Sequence, residues 1–176
     1  MSLITDQSRE TQFPRFIDVE ASSLGPQSYP IQIAWSDAGG DIESWLINPK
    51  PVESWTDWDW NAQDVHQIPR SMLTEFGCEP QWVAKRMNQA LDGQTVYSDS
   101  PGIDGFWLVT LFDAVGIYPA FRIEKSWSLF RELADDQAIQ TADARRAWGR
   151  TPGRRHQADV DVLHLLETWK ILACEA

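Results

Sequence analysis

The feature that most constrains the fold of this chain is a pair of acidic residues inside a short apolar segment, RFIDVEAS at 15–22. Its aromatic and β-branched residues favour a β-strand that is buried on at least one face. Side chains alternate along a strand, so Asp18 and Glu20 point to the same face and the apolar residues beside them point to the other. Two carboxylates on one face of a half-buried strand repel each other and lose hydration. Folding alone does not account for that arrangement, whereas a bound cation would.

Two further strands follow the first one closely. The segment YPIQIAWS alternates apolar and polar residues as a half-buried strand does, and the next strand returns after the Gly39-Gly40 turn. We therefore predict three antiparallel strands, at Arg15–Glu20, Tyr29–Ser36 and Asp41–Ile47.

The rest of the chain alternates helical and strand patterns. Two more strands are predicted at Thr95–Ser98 and Phe121–Glu124. Helices are predicted after Pro69, at Gln81–Leu91, at Asp104–Val115, from about Ser126 to Trp148 and from about Gln157 to Ala173. In the last helix we expect Val160, Leu163, Leu166 and Ile171 on the buried side, and we expect Ser54–Asn61 to form an irregular loop. The order of elements predicts an α/β fold in which helices flank a mixed five-stranded sheet, three antiparallel strands followed by parallel ones.

The length and the net charge of the chain limit the classes of function that it can have. The 176 residues suit a single domain, 1–176. A formal net charge of −11 argues against a general nucleic-acid coat protein, because phosphate binding is driven by Lys and Arg. It is compatible with an enzyme that grips one strand end and gains positive charge from metal ions. The absence of a long apolar run, of a signal-peptide core and of a disulfide framework predicts a cytoplasmic protein with no membrane association.

Further acidic residues and one histidine lie near predicted helix starts. Asp104 follows a Ser-Asp-Ser-Pro-Gly turn, and His156 precedes Asp161 by five residues at the start of the last helix. Each acid alone has a structural explanation, since a helix N-terminus stabilises negative charge. Asp99 competes with Asp104, and Asp159 with Asp161, for a place in a common site.

In order and spacing these residues resemble the motifs of the DnaQ-like (DEDDh) 3′–5′ exonucleases, a group that includes RNase T and oligoribonuclease. The family has Asp-x-Glu on its first strand, an Asp that opens a helix after its fourth strand, and a His followed five residues later by an Asp. The matching residues here are Asp18 and Glu20, then Asp104, then His156 and Asp161. The resemblance spans nearly the whole chain and implies an RNase H-like fold.

Three segments bear on how far the resemblance extends. The segment VHQIP at 65–69 is similar to the family's histidine-glycine-isoleucine loop, with Gln67 in place of the glycine. The family often continues its first motif with threonines and glycine, where this chain has 21–25 as ASSLG. It often has His-Asn before the second acid, where this chain has Asp99-Ser100. These departures concern the choice of substrate more than the reaction.

The resemblance implies a metal-dependent 3′–5′ exonuclease that hydrolyses phosphodiester bonds of short single-stranded RNA or DNA and releases 5′-mononucleotides. Four acids would hold two divalent ions, Mg²⁺ or Mn²⁺, because these ions prefer oxygen ligands. The four acids are Asp18, Glu20, Asp104 and Asp161. His156 would act as the general base. The alternative is a catalytically weak or inactive module on the same fold that binds a nucleic-acid end or a protein.

Four residues are expected to contact the substrate: Ser22, Leu24, His66 and Arg155. Backbone amides of the loop after the first strand could approach a terminal nucleotide, and Leu24 could wedge against a base. The expected partner is the 3′ end of a single-stranded nucleic acid, and relatives of this fold are often homodimers. The role of Trp55, Trp58 and Trp60 stays open between base stacking and covering the core.

Overall fold

The computed structural model describes residues 12–148 and 156–175, and its central element is a five-stranded sheet. The strands are β1 (Arg15–Ala21), β2 (Pro30–Ser36), β3 (Ile42–Leu46), β4 (Thr95–Ser98) and β5 (Arg122–Lys125). Their order across the sheet is β3-β2-β1-β4-β5. The β1–β2 and β2–β3 pairs are antiparallel, whereas β1–β4 and β4–β5 are parallel. The predicted mixed sheet is therefore confirmed, and β1, which carries the two acids, is its central strand.

Seven helices are present in the described part of the chain. They are α1 (Trp60–His66), α2 (Arg70–Phe76), α3 (Pro80–Leu91), α4 (Pro101–Ala114), α5 (Ser126–Phe130), α6 (Asp136–Trp148) and α7 (Ala158–Glu175). No helix among these residues is long and apolar enough to cross a bilayer.

One helix was missed by the prediction, and another was predicted to start too late. Helix α1 occupies the end of the stretch that was expected to be a loop, and its start is capped by the Asp59 carboxylate, which accepts a hydrogen bond from Asn61 N at 2.8 Å. Helix α4 begins at Pro101. Proline suits this position because the N–H groups of a first turn have no partner within the helix, and proline has no N–H. Asp104 is therefore in the first turn of α4 rather than at its opening residue.

Alternation along β1 divides the core between the two faces of the sheet. Ile17 and Val19 belong to the cluster that α3 and α4 cover, whereas Phe16 belongs to the cluster that α5, α6 and α7 cover. Asp18 and Glu20 share the Phe16 face by the same alternation, as the sequence predicted. The two acids therefore lie on the side of the sheet against which α7 packs.

The buried side of α7 differs from the prediction. Leu166 is buried, as expected, together with Val162 and Leu172, but Leu163 is 41% exposed. Apolar residues occur on several sides of this helix, so periodicity alone did not fix which side meets the sheet. The observed rotation sends Asp161 toward the end of β1 rather than into solvent.

Candidate active site

A cleft of about 520 Å³ opens where the second half of β1, the β4–α4 turn, helix α1 and the start of α7 meet. Six carboxylates line it: Asp18, Glu20, Asp59, Asp99, Asp104 and Asp161. No Lys or Arg occurs among the described residues of its lining. The described part of the cleft lining thus concentrates negative charge with no Lys or Arg to balance it.

Five of the acids and one histidine form two groups. The potential ligand atoms of Asp18, Asp99 and Asp104 lie within 4.8 Å of one another. The second group, with the same limit, is Glu20, His156 and Asp161. Because the two acids of β1 belong to different groups, this strand connects the two halves of the site.

Burial and mutual repulsion raise the pKa values of the acids in this cleft. Burial, followed by the charges of Asp104 and Glu20, raises the pKa of Asp18 well above its ordinary value. Burial raises the pKa of Glu20 to about 8, with Asp161 the next contributor. Burial also raises the pKa of Asp104 to about 7. Without a cation, the protein can therefore hold these carboxyl groups together near neutral pH only by keeping some of them protonated.

Asp104 is fixed by the turn that joins β4 to α4. It is 3% exposed, and its carboxylate accepts a hydrogen bond from the buried hydroxyl of Ser98 at the end of β4. One turn further along α4, Trp107 is buried and its indole N–H donates to Ser28 Oγ at 2.9 Å. This bond ties α4 to the segment before β2, so the helix that carries Asp104 is anchored at the sheet.

Gln32 fixes the start of α7, and sequence reasoning missed it. It pairs with Glu20 across the β1–β2 ladder, so both side chains face α7. Its side-chain oxygen accepts a hydrogen bond from Ala158 N at 3.0 Å, and its amide nitrogen donates to Ser44 Oγ at 3.1 Å and to Asp159 Oδ1 at 3.4 Å. A buried glutamine from the sheet thereby satisfies one of the unpaired N–H groups of the helix start.

His156 and Asp161 lie on either side of that helix start. His156 is exposed and adopts a left-handed backbone conformation, with φ 63°. Non-glycine residues rarely occupy this region, and such strain often occurs at functional sites. In this conformation the imidazole lies beside Glu20 and Asp161.

The structure distinguishes the competing acids. Asp161 lines the cleft and joins Glu20 and His156, whereas Asp159 accepts its hydrogen bond from Gln32. Asp99 does not replace Asp104, because both approach Asp18. The cleft therefore has one more carboxylate beside Asp18 than the resemblance implied.

Of the residues expected to contact the substrate, two line the cleft and one is buried behind it. Leu24 is 84% exposed at the rim of the cleft, and His66 lines its wall. Ser22 is fully buried; its hydroxyl accepts a hydrogen bond from Tyr29 N at 3.1 Å, and its carbonyl accepts one from Asp59 N at 2.9 Å. Ser22 thus ties the loop after β1 to the start of α1 and does not itself line the cleft.

The expectation for Arg155 falls outside the described residues. The other arginines of the same loop, at 150 and 154, lie outside them as well.

His66 is a neutral hydrogen-bond donor. It is 2% exposed, and burial lowers its pKa to about 4. Its Nδ1 accepts a hydrogen bond from Ile68 N at 3.0 Å, so the single proton of the neutral ring is on Nε2. Nε2 has no hydrogen-bond partner within the described residues. A buried donor of this kind in a cleft wall is suited to an acceptor on a bound molecule.

Helix α1 supplies part of the cleft that sequence reasoning missed. Asn61, Ala62 and Val65 line the wall together with the capping residue Asp59. The available signal was the aspartate itself, since Asp is a strong N-cap residue. The stretch was nevertheless predicted to be an irregular loop, so the cap was not recognised.

The donor set fits hard divalent cations. Carboxylate oxygens predominate, and Mg²⁺ and Mn²⁺ prefer oxygen ligands. The raised pKa values and the lack of Lys or Arg among the described lining residues have a common explanation if cations neutralise the acids. The arrangement can hold metal ions, position an anion against them and offer an imidazole for proton transfer.

No protein-family model and no curated protein sequence matches the chain. Solved structures with a similar fold include Escherichia coli exonuclease I. The zinc-bound form of its complex with single-stranded DNA has a TM-score of 0.71 at 14% identity, covering 93% of this chain and 41% of that chain. The complex with a dA16 oligonucleotide has a TM-score of 0.70 at 14% identity, with the same coverage of 93% and 41%.

Similarity at this level of identity establishes a shared RNase H-like α/β fold. The chain spans less than half the length of these solved structures.

Proposed function

We propose that this protein is a metal-dependent 3′–5′ exonuclease of the DEDDh type, which hydrolyses terminal phosphodiester bonds of short single-stranded RNA or DNA and releases 5′-mononucleotides. One observation carries the proposal: the residues of the three resembled motifs, far apart in sequence, converge in one cleft. They are Asp18, Glu20, Asp104, His156 and Asp161. The fold shared with exonuclease I supports the same class of reaction.

The acids would act by holding divalent ions. Asp18 and Asp104 would bind one ion and Glu20 and Asp161 the other, in keeping with the two groups that they form. Bound ions of this kind supply positive charge that stabilises the attacking and the leaving oxygens of phosphodiester hydrolysis. The protein contributes by fixing its carboxylates on β1, α4 and α7 before substrate arrives.

His156 would act as the general base. It is exposed at the mouth of the cleft, beside Glu20 and Asp161, where an imidazole nitrogen can take a proton from the attacking water. A histidine suits this step, because its ordinary pKa lies near neutrality and the neutral ring can accept a proton. The nearby carboxylates stabilise the imidazolium that results.

The terminal nucleotide would occupy the apolar part of the cleft. Leu24, Val65 and Ile103 line it and are all exposed, so they offer surface to a base and a sugar. His66 would donate its Nε2 proton to an acceptor on that nucleotide. Because the chain has a formal net charge of −11, binding along a long phosphate backbone is not favoured, and short strands or frayed ends are the more suitable substrates.

The alternative of an inactive binding module is less well supported. Loss of activity on a fold of this kind would leave the acid set broken, and here the four acids and the histidine are all present in one cleft. RNA and DNA are both retained as candidate substrates. The resemblance favours RNA slightly, and exonuclease I has been solved with DNA oligonucleotides.

The test is hydrolysis of 5′-labelled RNA and DNA oligonucleotides in Mn²⁺, Mg²⁺ or EDTA, with an Asp18→Asn variant beside the wild type. We expect a ladder that shortens from the 3′ end, depends on metal and is lost in the variant. Internal cuts would refute the exonuclease assignment. No cleavage of either polymer by folded protein in either metal would refute nuclease activity itself.

A further inference from the structure

A second cleft of about 470 Å³ adjoins the first on the far side of Leu24. We propose that this second cleft binds the base of the penultimate nucleotide, stacks it on Trp60 and prefers bases that carry an exocyclic amino group. The inference rests on the proposed function, because it extends the substrate beyond the terminal nucleotide of the same strand.

The two clefts share a wall. Ser23, Leu24 and Asp59 line both of them. Trp58 lines the second cleft and His66 lines the first. Their rings pack edge to face, with 6.1 Å between the ring centroids. A strand whose last nucleotide lies in the first cleft therefore passes over Leu24 and reaches the second within one nucleotide.

Trp60 provides the surface for stacking. It is 68% exposed and lines the second cleft. Among the described residues it has no aromatic partner, in contrast to Trp82, which is 44% exposed and packs edge-on against Trp45 at 4.5 Å. A tryptophan face open to a cleft beside a nucleotide site offers the flat surface on which bases stack in single-strand binding.

The charges of the second cleft select a base rather than a phosphate. Asp57 and Asp59 line it, and no Lys or Arg does so among its described residues. A phosphate would be repelled there, so the backbone must run outside the cleft with the base turned inward. The second cleft is therefore suited to the uncharged aromatic ring of a base and not to a phosphate.

The two carboxylates also give the cleft a preference among bases. Asp57 Oδ2 accepts a hydrogen bond from the hydroxyl of Ser23, and Asp59 Oδ1 accepts hydrogen bonds from Asn61. The other oxygen of each carboxylate, Asp57 Oδ1 and Asp59 Oδ2, has no hydrogen bond to the described residues. These oxygens only accept hydrogen bonds. Adenine, cytosine and guanine offer amino donors to them, whereas uracil and thymine present carbonyl oxygens at the equivalent positions.

The first arm of the test measures binding, with 2-aminopurine placed at the penultimate position of a short oligonucleotide. Hydrolysis is slowed by working in the His156→Ala background with Mg²⁺. We expect the fluorescence of the bound probe to be quenched by Trp60, recovered in Trp60→Ala and quenched again in Trp60→Phe. Trp82→Ala is the matched control and should behave as the wild type. Equal quenching with and without Trp60 would overturn the proposal.

The second arm measures hydrolysis by the otherwise wild-type chain. We expect Trp60→Ala, which loses one stacked base, to raise KM by about fivefold to 150-fold, and Trp82→Ala to leave KM unchanged. We expect an oligonucleotide with penultimate adenine to have a lower KM than one with purine, which lacks only the amino group; equal KM values would overturn the amino preference. Quenching by Trp60 without any hydrolysis by the wild type would refute the proposed function and leave the base site standing.

Discussion

Glu20→Gln should make the metal-free protein more stable above neutral pH, although it removes a residue of the candidate active site. In the folded protein, burial and the charge of Asp161 raise the pKa of Glu20 from 4.5 to about 8. Below about pH 4.5 both the folded and the unfolded chain hold this proton, so there is no penalty. As the pH rises, the unfolded chain releases its proton first, and folding becomes less favourable until the folded pKa is passed.

The size of the effect follows from the same values. Each pKa unit corresponds to about 1.4 kcal/mol, which gives an upper limit of about 5 kcal/mol for the full change at Glu20. Relaxation of the cluster, and sharing of protons with Asp18 and Asp104, reduce the net effect. We expect Glu20→Gln to raise the free energy of unfolding by about 1–3 kcal/mol at pH 8.5 in EDTA, or a melting temperature higher by roughly 2–12 °C.

The assay is thermal or urea unfolding of wild type and variant in EDTA at pH 4.5 and pH 8.5. Glu75→Gln, a carboxylate-to-amide change at an exposed position of α2, is the matched control and should have little effect at either pH. Adding Mn²⁺ at pH 8.5 should stabilise the wild type more than Glu20→Gln. The reasoning is refuted if Glu20→Gln is no more stable than the wild type at pH 8.5, or if its effect is the same at both pH values.

Four further substitutions test individual parts of the site. His156→Ala should keep Mn²⁺ binding but lower kcat by about 10²–10⁴-fold, and unchanged turnover would remove the proposed base. Gln32→Met keeps the length of the side chain but leaves Ala158 N without its hydrogen bond. We expect it to lower the free energy of unfolding by about 1–3 kcal/mol and to change kcat more than it changes KM. If the substitution affected stability alone, Gln32 would have no positioning role. Asp99→Asn should weaken Mn²⁺ binding, whereas Asp159→Asn should leave it unchanged, and the opposite order would reverse the assignment of these two acids.

The sequence predicted features that depend on local periodicity. The alternation in β1 placed Asp18 and Glu20 on one face, and the Gly39-Gly40 turn joined β2 to β3. The core of the candidate site followed from the resemblance, because its motifs carry the order and spacing of residues that converge only in three dimensions.

Other features could not be predicted because they depend on distant partners. The hydrogen bond that fixes the start of α7 joins Gln32 to Ala158, 126 residues apart, and nothing in either segment indicates it. The exposure of Leu163 follows from the rotation of α7 on the sheet, which a helix with apolar residues on several sides leaves undetermined. The sequence presents Asp99 and Asp104 as competitors for one position, whereas the turn after β4 brings both of them close to Asp18.

The central claim is that the acids converge because divalent ions bind between them, and calorimetric titration with Mn²⁺ at pH 7 tests it most directly. The titration is run in two buffers that differ in ionisation enthalpy, so that proton release is measured together with binding. Since the pKa of Glu20 is raised to about 8 and that of Asp104 to about 7, we predict saturable binding that releases protons, and a loss of both in Asp104→Asn. The absence of Mn²⁺ binding by folded wild-type protein at millimolar concentrations, or binding that Asp104→Asn leaves intact, would contradict the claim.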